Sequence, residues 1–247
     1  MQSANQECVY WSYQVQKDAA TTFSRVEGSN YVLTASKNKI QLKNLGDRAS
    51  KQTFLTQIKY NDILSLDSCP ATLKVLSSSS DIAFVNDMIT GDEITRLSND
   101  NTNRGIILDC IFIGNDVVAT CGNDSTLTLF DVRENPVKVK PWSFTCIPND
   151  IFTSIGYSYP CLAVGSVSGT IYMVDVRSQK SISPWISPSS MLSVDQHKNL
   201  SISFDSTGVI RLYNVRNNIL LANKKPVGQK VRTRINCKYV PERNFVL

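Results

Sequence analysis

The chain contains a single histidine, His197, and that scarcity removes much hydrolytic and metal chemistry at once. Histidine metal sites need several imidazoles, and Ser-His-Asp or Cys-His arrangements need one placed beside a nucleophile; His197, in "SVDQHKNLSIS", reads as a turn residue instead. Seven cysteines form an odd set with no C-x-x-C pair, which argues against a disulfide framework and a zinc knuckle. Their neighbours in "LDCIF", "VATCG" and "YPCLAV" predict reduced thiols packed as small core hydrophobes. No phosphate-binding G-x-x-x-x-G-K-[ST], no G-x-G-x-x-G after a strand and no G-x-S-x-G elbow occurs. Apolar runs such as "GIILDCIFIG" fall far short of the roughly 20 residues that cross a bilayer. The start, "MQSANQECVY", has neither a basic n-region nor an apolar h-region. These absences lead to the expectation of a soluble cytoplasmic or nuclear protein that is not an enzyme and carries no cofactor or metal.

Helical periodicity is scarce as well. What fills the 247 residues, read as a single domain over 1–247, is a succession of short apolar strands separated by Gly, Ser, Asn, Asp and Pro, so the chain reads as all-β. The strands recur in order. "SKNKIQLKNL" ends a strand near Asn44, "SSSDIAFVND" near Asn86, "GNDSTLTLFDVR" at Asp131, "SVSGTIYMVDVR" at Asp175 and "DSTGVIRLYNVR" at Asn214. Successive ends lie 42, 45, 44 and 39 residues apart, the period of a four-stranded β-propeller blade. In the third unit "GIILDCIFIG" supplies the inner strand, "VVATCG" the second, "TLTLFDV" the third and "VKVKPWSF" the outer one. Asn123-Asp124, Ser168-Gly169 and Thr207-Gly208 occupy the turn between second and third strands, where hairpins need residues that tolerate positive φ.

Five complete units run from about residue 20 to 230. "VRTRINCKYV" and "NFVL" then begin a sixth, and "ECVYWSYQV" near the start is a candidate outer strand for it. No segment remains for that unit's third strand. Two readings account for this: a longer parent chain, or an open ring to which a partner adds strands by β-augmentation.

Charge is uneven. The net charge is +5, and from Lys224 onward seven lysines and arginines, among them Lys230, Arg232 and Arg234, stand against Glu242 alone. Such a segment suits an acidic partner or phosphate, and equally a solvated edge strand. Nucleic acid gains little support, because stacking aromatics interleaved with arginines are missing. Asp92-Glu93 and the looser pair Asp62 and Asp67 are the carboxylate pairs that acid–base chemistry would use, and a solvated hairpin explains the first of them. Asn123-Asp124-Ser125 and Asn199-Leu200-Ser201 match a glycosylation sequon without a secretory context. Trp142 in "VKPWSF" and Trp185 in "ISPWIS" hold matching places in consecutive units, either packing between sheets or lining a peptide groove. Asp131-Val132-Arg133, Asp175-Val176-Arg177 and the variant Asn214-Val215-Arg216 put an acid or amide and an arginine on one face of a strand end. There the arginine pairs with its own aspartate or reaches a partner.

The units resemble WD repeats, most clearly in "GNDSTLTLFDVR", "SVSGTIYMVDVR" and "DSTGVIRLYNVR". The Trp-Asp ending is replaced by Phe130-Asp131, Val174-Asp175 or Tyr213-Asn214, and the Gly-His pair before each inner strand is missing. The resemblance implies a β-propeller of six blades with one incomplete or open, acting as a scaffold between proteins in a multisubunit complex. "LTLFDVR" is also similar to the box by which some WD-repeat substrate receptors dock on the cullin-4 ubiquitin-ligase adaptor, and other family members serve in chromatin- or RNA-associated complexes. A few WD-like proteins are hydrolases, including a methylesterase of diphthamide maturation. The residues singled out for partner binding are Asp131, Arg133, Asp175, Arg177, Arg216, Trp142, Trp185, Lys230, Arg232 and Arg234.

Overall fold

A computed structural model describes residues 22–45, 62–98, 105–134, 150–178 and 180–225 (backbone alone at 182–184), with the backbone alone of 51–55, 142–145, 239–240 and 245–246. Strands and turns account for the described residues, as the alternating and short apolar runs require. Five antiparallel meanders follow one another. Sheet 1 is β1 (Thr22–Arg25), β2 (Tyr31–Ser36), β3 (Lys39–Asn44) and β4 (Lys51–Leu55); sheet 2 is β5 (Ser65–Cys69), β6 (Lys74–Ser79), β7 (Ile82–Asp87) and β8 (Glu93–Ser98). Sheet 3 is β9 (Ile107–Phe112), β10 (Val117–Gly122), β11 (Thr126–Asp131) and β12 (Trp142–Thr145). Sheet 4 is β13 (Phe152–Ser158), β14 (Cys161–Ser166), β15 (Thr170–Asp175) and β16 (Lys180–Ile186). Sheet 5 is β17 (Met191–His197), β18 (Leu200–Asp205), β19 (Ile210–Asn214) and β20 (Ile219–Lys224). A short pair, β21 (Tyr239–Val240) and β22 (Phe245–Val246), ends the described chain.

One boundary differs from the sequence reading. The third strand of the second unit ends at Asp87, one residue past Asn86, because the Met88 N–H that follows it bonds the Leu73 carbonyl, as the Val132 N–H bonds Asp116 in sheet 3. In the outer strand of the third unit Trp142–Thr145 are described, overlapping the end of "VKVKPWSF", whose earlier residues lie outside the described part. Positive φ between second and third strands falls at Lys37, Ser80, Ser125, Gly169 and Gly208, so in sheet 3 it is Ser125 and not Asn123 or Asp124 that takes the left-handed conformation.

The sheets stack in series along their first strands: β1 lies against β5, β5 against β9, β9 against β13 and β13 against β17. Sheets 2, 3 and 4 are thereby covered on both faces. Val75 and Phe84 of sheet 2 pack against Leu33 and Ile40 of sheet 1, while their strand neighbours Leu76 and Val85 point the other way, onto Cys110 and Val118 of sheet 3. Leu127 of sheet 3 meets Ile155 and Tyr172 of sheet 4, and Met173 of sheet 4 meets Met191 and Tyr213 of sheet 5. A strand covered on both faces reads as a continuous apolar run, as in wholly buried β14, whereas the outer strand β8 alternates.

The first strands are tied by polar side chains, of which the sequence reading singled out Asp67 alone, as a member of a carboxylate pair. Thr22, Ser65, Asp109, Ser154 and Ser193 occupy one register, each opposite the penultimate residue of its sheet's second strand: Ala35, Ser78, Cys121, Gly165 and Phe204. From three of these positions the side chain accepts the N–H of the residue one further along in the next sheet. Ser65 Oγ takes Cys110 N–H at 3.4 Å, Asp109 Oδ2 takes Ile155 N–H at 2.8 Å, and Ser154 Oγ takes Val194 N–H at 3.1 Å. Asp67 adds a bond from Phe112 N–H at 2.7 Å. A first strand has no in-sheet partner on its inner side, so these bonds satisfy N–H groups that burial would otherwise leave unmet.

Candidate functional site

Every sheet brings two turns together at one end. The residue after the third strand donates its N–H to the residue before the second: Leu45 to Asn30 O, Met88 to Leu73 O, Val132 to Asp116 O, Val176 to Pro160 O and Val215 to Asn199 O, at 2.7–3.0 Å. Lys74 of sheet 2 crosses to Asp116 of sheet 3 with a 2.6 Å ion pair, joining neighbouring turns into a rim.

The Asp-Val-Arg segments lie on this rim and fold onto themselves. Asp131 Oδ1 accepts the N–H and Nε of Arg133 at 3.0 and 2.9 Å while Oδ2 accepts Nη2 at 2.5 Å. Asp175 holds Arg177 in the same way, at 2.9, 3.1 and 2.8 Å. A backbone turn and a two-point guanidinium contact thus share one carboxylate. The Arg133 and Arg177 side chains respectively hold Asp131 and Asp175 down at about 2. Arg177 also lies over the ring of Tyr159, 6.0 Å from its centroid. In sheet 5, Asn214 Oδ1 accepts the N–H groups of Arg216 and Asn217 at 3.0 and 3.2 Å, which preserves the turn without a charge. In sheet 2 the same cap is made by Asp87, which accepts Ile89 and Thr90 N–H and has no arginine two residues on. Asp87 escaped notice because the sequence comparison placed the strand end at Asn86. Exposed Leu73, Ile89 and Tyr159 complete the rim, and only their position identifies them.

The two tryptophans fare differently. Trp185 is 8% exposed, its ring stacked on Tyr213 of sheet 5 at 4.4 Å and 8°, and its Nε1–H donates to Asn218 Oδ1. It is packed between sheets and lines no open groove. Trp142 begins β12, and its side chain lies outside the described residues, as do Trp11, Lys230, Arg232 and Arg234. His197 closes β17 opposite Leu200, across the Lys198-Asn199 turn. Asp92 and Glu93 end the β7–β8 turn, where Glu93 pairs with Arg96; Asp67 is an inter-sheet acceptor and Asp62 is exposed. Cys69, Cys110, Cys121 and Cys161 are buried thiols in no disulfide, and burial, with the Asp109 charge beside it, pushes the Cys110 thiol well up, so it stays protonated.

Two buried carboxylates bind the other end of sheets 4 and 5. Asp150 accepts the Ser168 N–H, the Ser168 hydroxyl at 2.8 Å and the Tyr172 hydroxyl at 3.0 Å. Asp205, with no solvent exposure, accepts Thr207, Val209 and Arg211 Nη1, the last at 2.5 Å. Burial pushes its carboxyl up, yet the Thr207, Arg211 and Val209 bonds together hold it below the ordinary value. Asp150 is taken up by the β14–β15 turn and β15, and Asp205 by the β18–β19 turn and β19. The sequence matches no protein-family model and no curated protein.

Proposed function

We propose that the chain is a divergent WD-repeat-type β-propeller, with β21–β22 opening a sixth blade, and that it works as a non-catalytic scaffold joining proteins in a multisubunit complex. The observation that supports this most is the fivefold recurrence of one turn-to-turn hydrogen bond beneath five different turn sequences. A constant frame with variable loops presents many side chains at fixed positions, which suits recognition. Serial stacking of four-stranded meanders along their first strands is the arrangement a propeller uses, and β21–β22 follow the fifth meander as a further antiparallel pair.

The test is affinity purification of the full chain with identification of its companions, repeated with Arg133→Glu and Arg177→Glu. The expected result is a defined set of proteins, part of which is lost in these variants at unchanged melting temperature. Recovery of the chain alone as a monodisperse monomer, or ester hydrolysis that survives repurification, overturns the scaffold reading.

A further inference from the structure

Of the three rim arginines, two are neutralised by their own aspartates. Arg216 is exposed and forms no ion pair among the described residues, because Asn214 stands where the other sheets have Asp131 and Asp175. The unmatched charge sits in the turn that leads into β20, the outer strand of sheet 5. Ile219, Leu220 and Leu221 follow at 53, 47 and 51% exposure, and no strand pairs with the far side of β20 among the described residues. Sheet 2 guards its outer strand differently: Glu93 and Arg96 pair along β8, and Leu97 is buried. An uncharged aliphatic edge with open backbone groups invites another strand.

Charge defines which strand. Positions 206–241 contain eight lysines and arginines and no aspartate or glutamate, and only Arg211 among those described is consumed internally, by Asp205. The edge is also preset. Val215 N–H is bonded to Asn199 O at 2.8 Å, and Asn218, at φ 55°, accepts the Trp185 indole N–H, so β20 leaves its turn at a fixed point and little ordering is left for binding.

We propose that the outer edge of β20 docks an extended acidic segment of a partner protein. The segment adds to sheet 5 as a fifth strand, sets apolar side chains on Ile219, Leu220 and Leu221, and brings carboxylates to Arg216, Lys224 and Lys225. This rests on the scaffold reading and names one of its contact surfaces. A nucleic acid meets the cations but has no strand backbone to pair with β20 and no use for three aliphatic side chains.

The probe is a labelled decapeptide of alternating valine and glutamate, followed by anisotropy with the full chain, beside its valine–lysine counterpart and an oligothymidylate. The acidic peptide is expected to bind at least about tenfold tighter than the lysine peptide and to weaken with salt. Backbone amides of 219–224 should gain protection from hydrogen exchange, and Arg216→Glu and the pair Ile219→Asn, Leu221→Asn should abolish binding at unchanged melting temperature. Should the aliphatic pair lower stability, Arg216→Glu alone carries the test, since it alters an exposed side chain. Equal binding of both peptides, protection elsewhere or indifference to Arg216→Glu overturns the proposal. Preferred binding of oligothymidylate overturns it in favour of a phosphate surface, and a concentration-dependent dimer lost in the aliphatic pair overturns it in favour of a second copy. If partners co-purify with the full chain undiminished by Arg216→Glu, the docking edge falls while the scaffold reading stands; if the peptide binds as stated and no partner is ever recovered, the reverse holds.

Discussion

Asp205 and Arg211 form an ion pair that water barely reaches, with 0% and 10% of the two side chains exposed. Such a pair is costly to break on one side, because the remaining charge loses its partner in a low-dielectric setting. Arg211→Met is therefore expected to destabilise the chain by about 3–5 kcal/mol, measured by urea unfolding. The rim pairs behave oppositely, since Arg133 is 68% exposed and largely screened. Asp131 titrates at about 2 in the folded chain, below its ordinary 3.8. A depressed carboxyl contributes stability that is complete above the unfolded value and lost as pH falls through the folded one. Thermal unfolding followed between about pH 5 and 2 should show a smaller acid-induced drop in Asp131→Asn than in the parent, with Tm near neutrality changed only slightly.

Among elements, the first strands carry the inter-sheet contacts, and two substitutions probe them. Asp109 receives Ile155 N–H from sheet 4 and the Ser65 hydroxyl from sheet 2, the latter at 2.5 Å. Asp109→Ala leaves both donors unmet and is expected to cost about 1–3 kcal/mol for the stranded N–H, whereas Asp109→Asn keeps an acceptor oxygen and should cost less. Gly156 lies where β13 passes β17, and a Cβ there would stand 2.7 Å from the Asp195 backbone. Gly156→Val should lower stability by about 1–3 kcal/mol by pushing sheets 4 and 5 apart. Hydrogen exchange that rises in β17 as well as β13 is the expected signature.

For the whole molecule, the serial packing of sheet on sheet predicts coupled unfolding. Asp109→Ala and Gly156→Val lie in different sheets, yet both should shift one common transition seen by far-UV circular dichroism and by tryptophan fluorescence. Separate transitions would mean that the sheets melt as independent repeats.

The strand order and the period were legible in the sequence because they depend on local chemistry: Gly, Ser, Asn and Asp punctuate the chain, and the third strands of the last three units run into Asp-Val-Arg or Asn-Val-Arg. Asp131 and Arg133 could be paired from spacing alone, since both belong to one turn. Trp185 could not be placed in advance, because an aromatic on an outer strand suits a groove as well as an interior, and only Tyr213 of the next sheet decides between them. The register of Thr22, Ser65, Asp109, Ser154 and Ser193 was equally hidden, being written in residue types that differ and a pattern defined only by pairing. By itself the sequence determined a repeating all-β chain, since turn chemistry and apolar alternation act over a few residues. Tertiary structure alone decided which polar groups tie sheet to sheet, because those bonds join residues some forty positions apart.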